Sequence, residues 1–238
     1  MQKQWQLTIE NYNSEGQGVA RWENQVIFVP GALKGETVWA ELSSRKKNYC
    51  LAKLTAIQKA SPHRVSPPCP YFARCGGCQL QHMAYEEQLA FKTQKVAASL
   101  RRLGNLKEFT VCNCLPSVSV WKYRERANFH VQEENGILKA GFYQKKSRQL
   151  VPIDECLLLP ESFIAITQKV MADLNRYGIK GITELWLRQG NVERTVMLIL
   201  HSAYKKVDLT PCFADWVQAY PFLQSIVIIN KDGQEEVL

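Results

Sequence analysis

The sequence predicts a small β-barrel followed by an α+β domain, and three observations carry that reading. The first sixty residues alternate apolar and polar positions in short runs separated by turn residues. The stretch Ser61-Pro-His-Arg-Val-Ser-Pro-Pro-Cys-Pro70 then gathers four of the chain's ten prolines, marking a joint. Beyond it, two helix-period segments stand among strand-like runs and turn signals.

Four strands are expected in the barrel, at Trp5–Ile9, Gln25–Val29, Thr37–Leu42 and Tyr49–Ile57. Gly16, Gly18, Pro30-Gly31, Gly35 and Arg45-Lys-Lys-Asn48 lie between them. Tyr85, Leu89, Val96, Leu100 and Leu103 recur every three to four residues ahead of Gly104, which predicts a helix over 84–103. Arg126–Gln132 and Ile137–Tyr143 flank Glu-Glu-Asn-Gly136 as a hairpin. A second helix is expected over Glu161–Tyr177 with Gly178 at its end. Strands follow at Ile182–Arg188, Arg194–Leu200 and Ser225–Asn230, the first two paired across Gln189-Gly-Asn191. The expected division is 1–60 for the barrel, 61–92 for the joint and a cysteine-rich loop, and 93–238 for the second domain.

With 238 residues and 46% hydrophobic content, the chain is long enough to bury a substantial core. Its start, Met1-Gln-Lys-Gln-Trp5, shows no apolar run of signal-peptide length, and no segment approaches membrane-spanning length. A cytoplasmic protein, a monomer, is the expectation. There thiols stay reduced, and clustered cysteines read as ligands or reactive groups rather than disulfides. The net charge of +8 is localised: residues 91–150 hold twelve Lys/Arg against four Asp/Glu, whereas 151–238 are net acidic. That pattern suits a nucleic-acid partner, and also a plain solvated surface.

Cys69-Pro-Tyr-Phe-Ala-Arg-Cys75-Gly-Gly-Cys78 places three thiols within ten residues. Thiolates are soft ligands for zinc or iron–sulfur centres, and two sulfurs separated by two residues can reach one centre from one loop. Gly76 and Gly77 let the backbone wrap closely and turn its N–H groups towards sulfur. A four-coordinate site needs another ligand, with Cys50, Cys112, Cys114, Cys156 and Cys212 as candidates. Cys156, where an apolar segment breaks before the second helix, is the preferred one; packing as a core cysteine is its alternative. Cys50 and Cys212 read as core, and Cys112 and Cys114 as packing residues that share a strand face.

Cations and flat rings alternate in Trp121-Lys122-Tyr123-Arg124-Glu125-Arg126, followed by Phe129 and His130, and again in Phe142-Tyr-Gln-Lys145-Lys146-Ser-Arg148. RNA readers use this mixture, because cations neutralise phosphates while rings and guanidinium planes stack on exposed bases. Arg45, Lys46 and Lys47 add a short basic run in a barrel turn. Aromatics in the core and charges in water remain the simpler alternative. No glycine-rich phosphate loop follows a strand, and no Ser/His/Asp set, carboxylate pair or HExxH motif is present.

Gly16-Gln-Gly-Val-Ala-Arg21, Val26-Ile-Phe-Val-Pro-Gly-Ala32 and Gly35-Glu36 resemble a TRAM domain, an OB-like barrel used for RNA. The cysteine run through Gln79-Leu-Gln81, Tyr123–Ala127, Gly141-Phe-Tyr143 and Leu150…Cys156 resemble the central domain of bacterial 23S rRNA (uracil-5-)-methyltransferases. The resemblance implies that Cys69, Cys75, Cys78 and Cys156 hold one [4Fe-4S] cluster. It also implies a grip on ribosomal RNA by Arg45, Lys46, Lys47, Lys122, Tyr123, Arg124, Arg126, Phe142, Lys145, Lys146 and Arg148. The family uses S-adenosylmethionine and a covalent cysteine adduct on the uracil ring. Its Rossmann-like cofactor domain lies beyond Leu238, so no Rossmann-like domain, no catalytic residue and no methyl transfer are expected of this chain. A free-standing RNA-binding protein with a structural or redox-sensing metal centre is the alternative. A radical S-adenosylmethionine enzyme is disfavoured, because those space their cysteines by three then two residues, against five and two here.

Overall fold

Residues 4–190 and 192–238 are described by a computed structural model; Met1–Lys3 and Asn191, the last residue of the turn expected at 189–191, lie outside the described residues. The chain divides into two units, Met1–Pro68 with Cys78–Pro116, and Cys69–Gly77 with Ser117–Leu238.

The first unit carries a six-stranded sheet made of β1 (Gln4–Thr8), β2 (Asn11–Tyr12), β3 (Gly18–Trp22), β4 (Gln25–Val29), β5 (Thr37–Arg45) and β6 (Tyr49–Lys59). Its order is β1-β5-β6-β4-β3-β2. The two ends of that order, β1 and β2, are consecutive in the chain, so the sheet returns on itself, and the Glu10 N–H donates to Val19 O at 2.8 Å across the join. Period-two alternation fills the interior: Trp5 and Leu7 of β1 meet Ile27, Val29, Val38, Ala40, Cys50 and Ala52. Cys50 is buried in this core.

Helix α1 (Tyr85–Arg102) belongs to the same unit, with Glu86 and Glu87 in its first turn and Arg101 and Arg102 in its last, the charge order the helix dipole favours. It buries Phe91, which packs with Met83 and Leu33 and meets the Tyr12 ring edge-on at 5.5 Å. The stripe read from the sequence is therefore only partly used: Val96 is 50% exposed and Leu103 76%.

The second unit holds a seven-stranded sheet of β7 (Arg126–Glu134), β8 (Ile137–Tyr143), β9 (Leu150–Pro152), β10 (Ile182–Gln189), β11 (Val196–Ser202), β12 (Leu223–Ile229) and β13 (Glu235–Val237). Their order is β13-β12-β11-β10-β7-β8-β9. The β7–β8 hairpin turns at Asn135 (φ 53°) and Gly136 (φ 81°), the paired left-handed conformations of a type I′ turn. Helix α2 (Glu161–Arg176) buries Phe163, Ile166, Val170 and Leu174 at helical spacing. It ends in a Schellman motif, with Ile179 N–H on Leu174 O at 2.8 Å and Gly178 N–H on Asn175 O at 3.3 Å. Helix α3 (Phe213–Ala219) adds Trp216, whose indole N–H reaches Asp173 Oδ2 at 2.7 Å. One core joins these helices to Phe129, Val131, Leu185, Leu187, Leu198, Leu200, Ile226 and Ile228, with Cys212 buried among them.

This architecture corrects the expected class, an OB-like barrel followed by an α+β domain without a Rossmann-like part. The chain is mostly sheet, with three helices among the described residues. Helix and strand are not segregated in the second sheet: β11 and β12 are parallel, and α3 lies in the connection between them. Parallel neighbours require a crossover, and the seven-residue α3 lies in it.

Candidate functional site

In the second unit the cysteine loop is pinned to the end of β8. Gly76 N–H donates to Tyr143 O at 2.9 Å, and Cys75 bridges Gln144. A Cβ on Gly76 would lie 2.8 Å from Tyr143 O, so the approach requires glycine. Tyr71 ties the loop to the stretch after β9, its hydroxyl accepting from Asp154 N–H at 3.2 Å.

These ties bring Cys69, Cys75 and Cys156 together. Burial pushes the Cys69 thiol up, with the neighbouring Cys156 adding to it. Burial likewise raises Cys156, helped by Cys75, while the Arg124 guanidinium works in the opposite sense. Backbone N–H groups face the sulfurs: Gly77 N–H lies 3.4 Å from Cys75 Sγ, those of Tyr71 and Phe72 serve Cys69, and those of Leu158 and Leu159 serve Cys156. Cys78 directly follows Gly77 in the chain and is grouped with the first unit. Among the described residues no group of three or more His, Cys, Asp or Glu is arranged to hold a single metal ion. Soft thiols with N–H groups aimed at them have the chemistry of thiolate ligands, for zinc as for iron–sulfur centres.

The expected RNA residues fall into three places. Arg45 closes β5, and Lys46 and Lys47 are exposed in the turn after it. Lys122, Tyr123, Arg124 and Arg126 are exposed along the approach to β7, where Lys122 and Arg124 donate their N–H groups to Leu157 O and Leu158 O beside Cys156. Lys122 also pairs with Glu161. Lys145, Lys146 and Arg148 are exposed in the turn after β8. Phe142 is placed differently: its ring stacks on buried Phe129 at 4.9 Å, against the core.

On the opposite face of the sheet His130 and Tyr143, both in the runs of cations and rings read from the sequence, join an array with residues of β10 and β11 that the sequence did not single out. Tyr143 stacks on His130 at 3.8 Å with 8° between the rings. His130 Nδ1 lies 3.5 Å from Glu184, and Glu184 accepts the Trp186 indole N–H at 2.6 Å. Trp186 also meets the His201 ring at 4.1 Å and the Arg188 guanidinium at 5.0 Å. Glu184, Trp186 and Arg188 alternate along β10 and could have been read as one face, but their cross-strand partners could not.

Residues 4–55 match the TRAM domain model. The chain is 38% identical over 179 residues, 75% of its length, to an uncharacterized RNA methyltransferase of Halalkalibacterium halodurans, covering 39% of that protein. An RNA methyltransferase of Enterococcus faecalis, also uncharacterized, is 33% identical over 99% of this chain and 51% of its own length. The chain thus spans about half or less of the length of these curated relatives. The crystal structure of Pyrococcus abyssi tRNA (uracil-54, C5)-methyltransferase in complex with S-adenosyl-L-homocysteine matches with a TM-score of 0.69. That match has 21% identity and covers 97% of this chain and 52% of that one. It also overturns the expected fold class, since 97% of this chain follows the fold of 52% of that one. The chain carries a TRAM domain, and its homologues are RNA methyltransferases.

Proposed function

We propose that this chain holds RNA for methylation at C5 of a uridine in 23S ribosomal RNA, with S-adenosylmethionine as methyl donor. The TRAM domain and the basic residues flanking β7 and β8 grip the phosphate backbone. The observation that carries the reading is the convergence of Cys69, Cys75 and Cys156, with backbone N–H groups on their sulfurs, beside Lys122 and Arg124. Cys78, two residues beyond Gly76, is assigned as the fourth ligand of a [4Fe-4S] cluster. Bound there, the cluster supplies a cross-link between distant segments. The chain's own residues do the rest: the loop anchors β8 through Gly76, and Arg124 and Lys122 are held at the Cys156 turn. No residue is assigned as the nucleophile that attacks uracil.

The test is direct. Anaerobically purified protein should be brown, contain about four irons per chain, and bind a 23S rRNA fragment. Stoichiometric zinc in a colourless protein would overturn the cluster. The fold shared with a tRNA methyltransferase favours a second reading, in which tRNA is the substrate. Tighter binding to tRNA than to the rRNA fragment would select it.

A further inference from the structure

The seven-stranded sheet has two unlike faces. Helices α2 and α3 share a core with one, through Phe129, Leu185, Leu198 and Ile226. The other carries His130, Tyr143, Trp186, Arg188 and His201, each half-buried, with Asn128 and Met197 exposed. Neighbouring strands place these side chains in register: Trp186 lies opposite Asn128 on β7 and Ile199 on β11, and Glu184 lies opposite His130 and His201.

We propose that this face is a stacking platform for unpaired nucleotides of single-stranded RNA. Flat rings give base-sized contact area without choosing a sequence, and guanidinium planes add both stacking and charge. Charge decides the occupant. Arg188 lies over Trp186 and is held by Asn128 Oδ1 at 2.8 Å, Arg126 is exposed on the same β7 face, and Lys145, Lys146 and Arg148 follow Tyr143. Of the acidic side chains on this face, Glu184 is engaged by Trp186 and His130 and Glu134 by Lys139, while Glu235 stands on the outer strand β13. A protein surface burying these rings would have to bury the arginines too, whereas a phosphodiester chain neutralises them. His201 Nε2 is buried without a hydrogen-bond partner. The platform rests on the RNA-holding reading above and adds to it residues that neither the cysteine loop nor the TRAM domain supplies.

The experiment titrates the whole chain into a short fluorescein-labelled oligouridylate and follows anisotropy. Trp186→Leu and Tyr143→Leu should each weaken binding about ten-fold, and Trp186→Phe should keep most of it. Photocrosslinking of the wild-type chain to the same RNA should label peptides containing Tyr143 or Trp186, which decides the matter even where a leucine variant fails to fold. Folded variants binding within about two-fold of wild type, with crosslinks confined elsewhere, would overturn the platform while leaving the RNA-holding reading intact. Failure of the wild-type chain to bind any RNA would instead overturn that reading and the platform with it. Loss of self-association in Trp186→Leu with RNA affinity unchanged would assign the face to a second copy of the chain and likewise overturn the proposal.

Discussion

The carboxylate of Glu36, wholly buried after the β4–β5 turn, is gripped by the guanidinium of Arg64, with Arg64 Nη2 2.8 Å from Glu36 Oε2. The same carboxylate accepts the N–H groups of Leu33 at 2.8 Å and Ser61 at 3.2 Å. Arg64 donates in addition to Gly31 O at 2.6 Å, so one buried charge fastens the proline-rich joint to the barrel. Removing the cation leaves that charge uncompensated. Arg64→Ala should destabilise the protein by about 3–5 kcal/mol, measured by denaturant unfolding.

The same pair sets an acid sensitivity. Burial raises the Glu36 carboxyl, but the Arg64 hydrogen bond and the Leu33 and Ser61 N–H groups outweigh it and leave the group below its ordinary value. A carboxylate lowered in the folded state contributes stability above its unfolded-state value and loses it as pH falls through the folded one. Melting temperature should therefore drop on acidification through the carboxylate range. In Glu36→Gln that part of the drop should disappear.

Gly76→Ala tests the seat of the cysteine loop. The new Cβ would meet Tyr143 O at 2.8 Å and Lys145 N at 3.1 Å, both backbone atoms that cannot swing aside. The expected cost is about 1–3 kcal/mol, together with iron content well below that of the wild type. Wild-type iron retention would show that the loop seats without this contact.

Cys156→Ser should bleach the visible absorption of anaerobically prepared protein, because serine replaces a soft thiolate. Cys212→Ser, buried in the α3 core at 0% exposure, should lower the melting temperature and leave the iron content unchanged. Equal iron loss in the two variants would remove Cys156 from the ligand set.

Lys145, Lys146 and Arg148 are exposed and suit phosphate contacts, whereas Phe142 packs on Phe129. Replacing the three cations by alanine should lower the slope of log affinity against log salt by about 2–3. Phe142→Ala should cost on the order of 3 kcal/mol in stability, with RNA affinity of the folded fraction unchanged.

Much of this was legible in the residues themselves. Apolar alternation in Trp5-Gln-Leu and Gln25–Val29, the Asn135-Gly136 turn and the spacing of Phe163, Ile166, Val170 and Leu174 are local patterns, and local backbone geometry follows from them. The soft chemistry of Cys69, Cys75 and Cys78 is equally local. Which way the Phe142 ring faces is not legible in the sequence, because a ring beside cations looks the same whether it faces the core or water, and strand register decides which.

The sequence by itself determined the longer helices α1 and α2, the β7–β8 hairpin, where the chain bends, and which thiols could ligate a cluster, but not β2, β3, β13 or α3. Tertiary structure alone decided that β11 and β12 run parallel around α3, and that Tyr143, His130, Trp186, Arg188 and His201 share one sheet face. Those relations join residues far apart in the chain. They are set by packing and pairing across strands, which no local periodicity encodes.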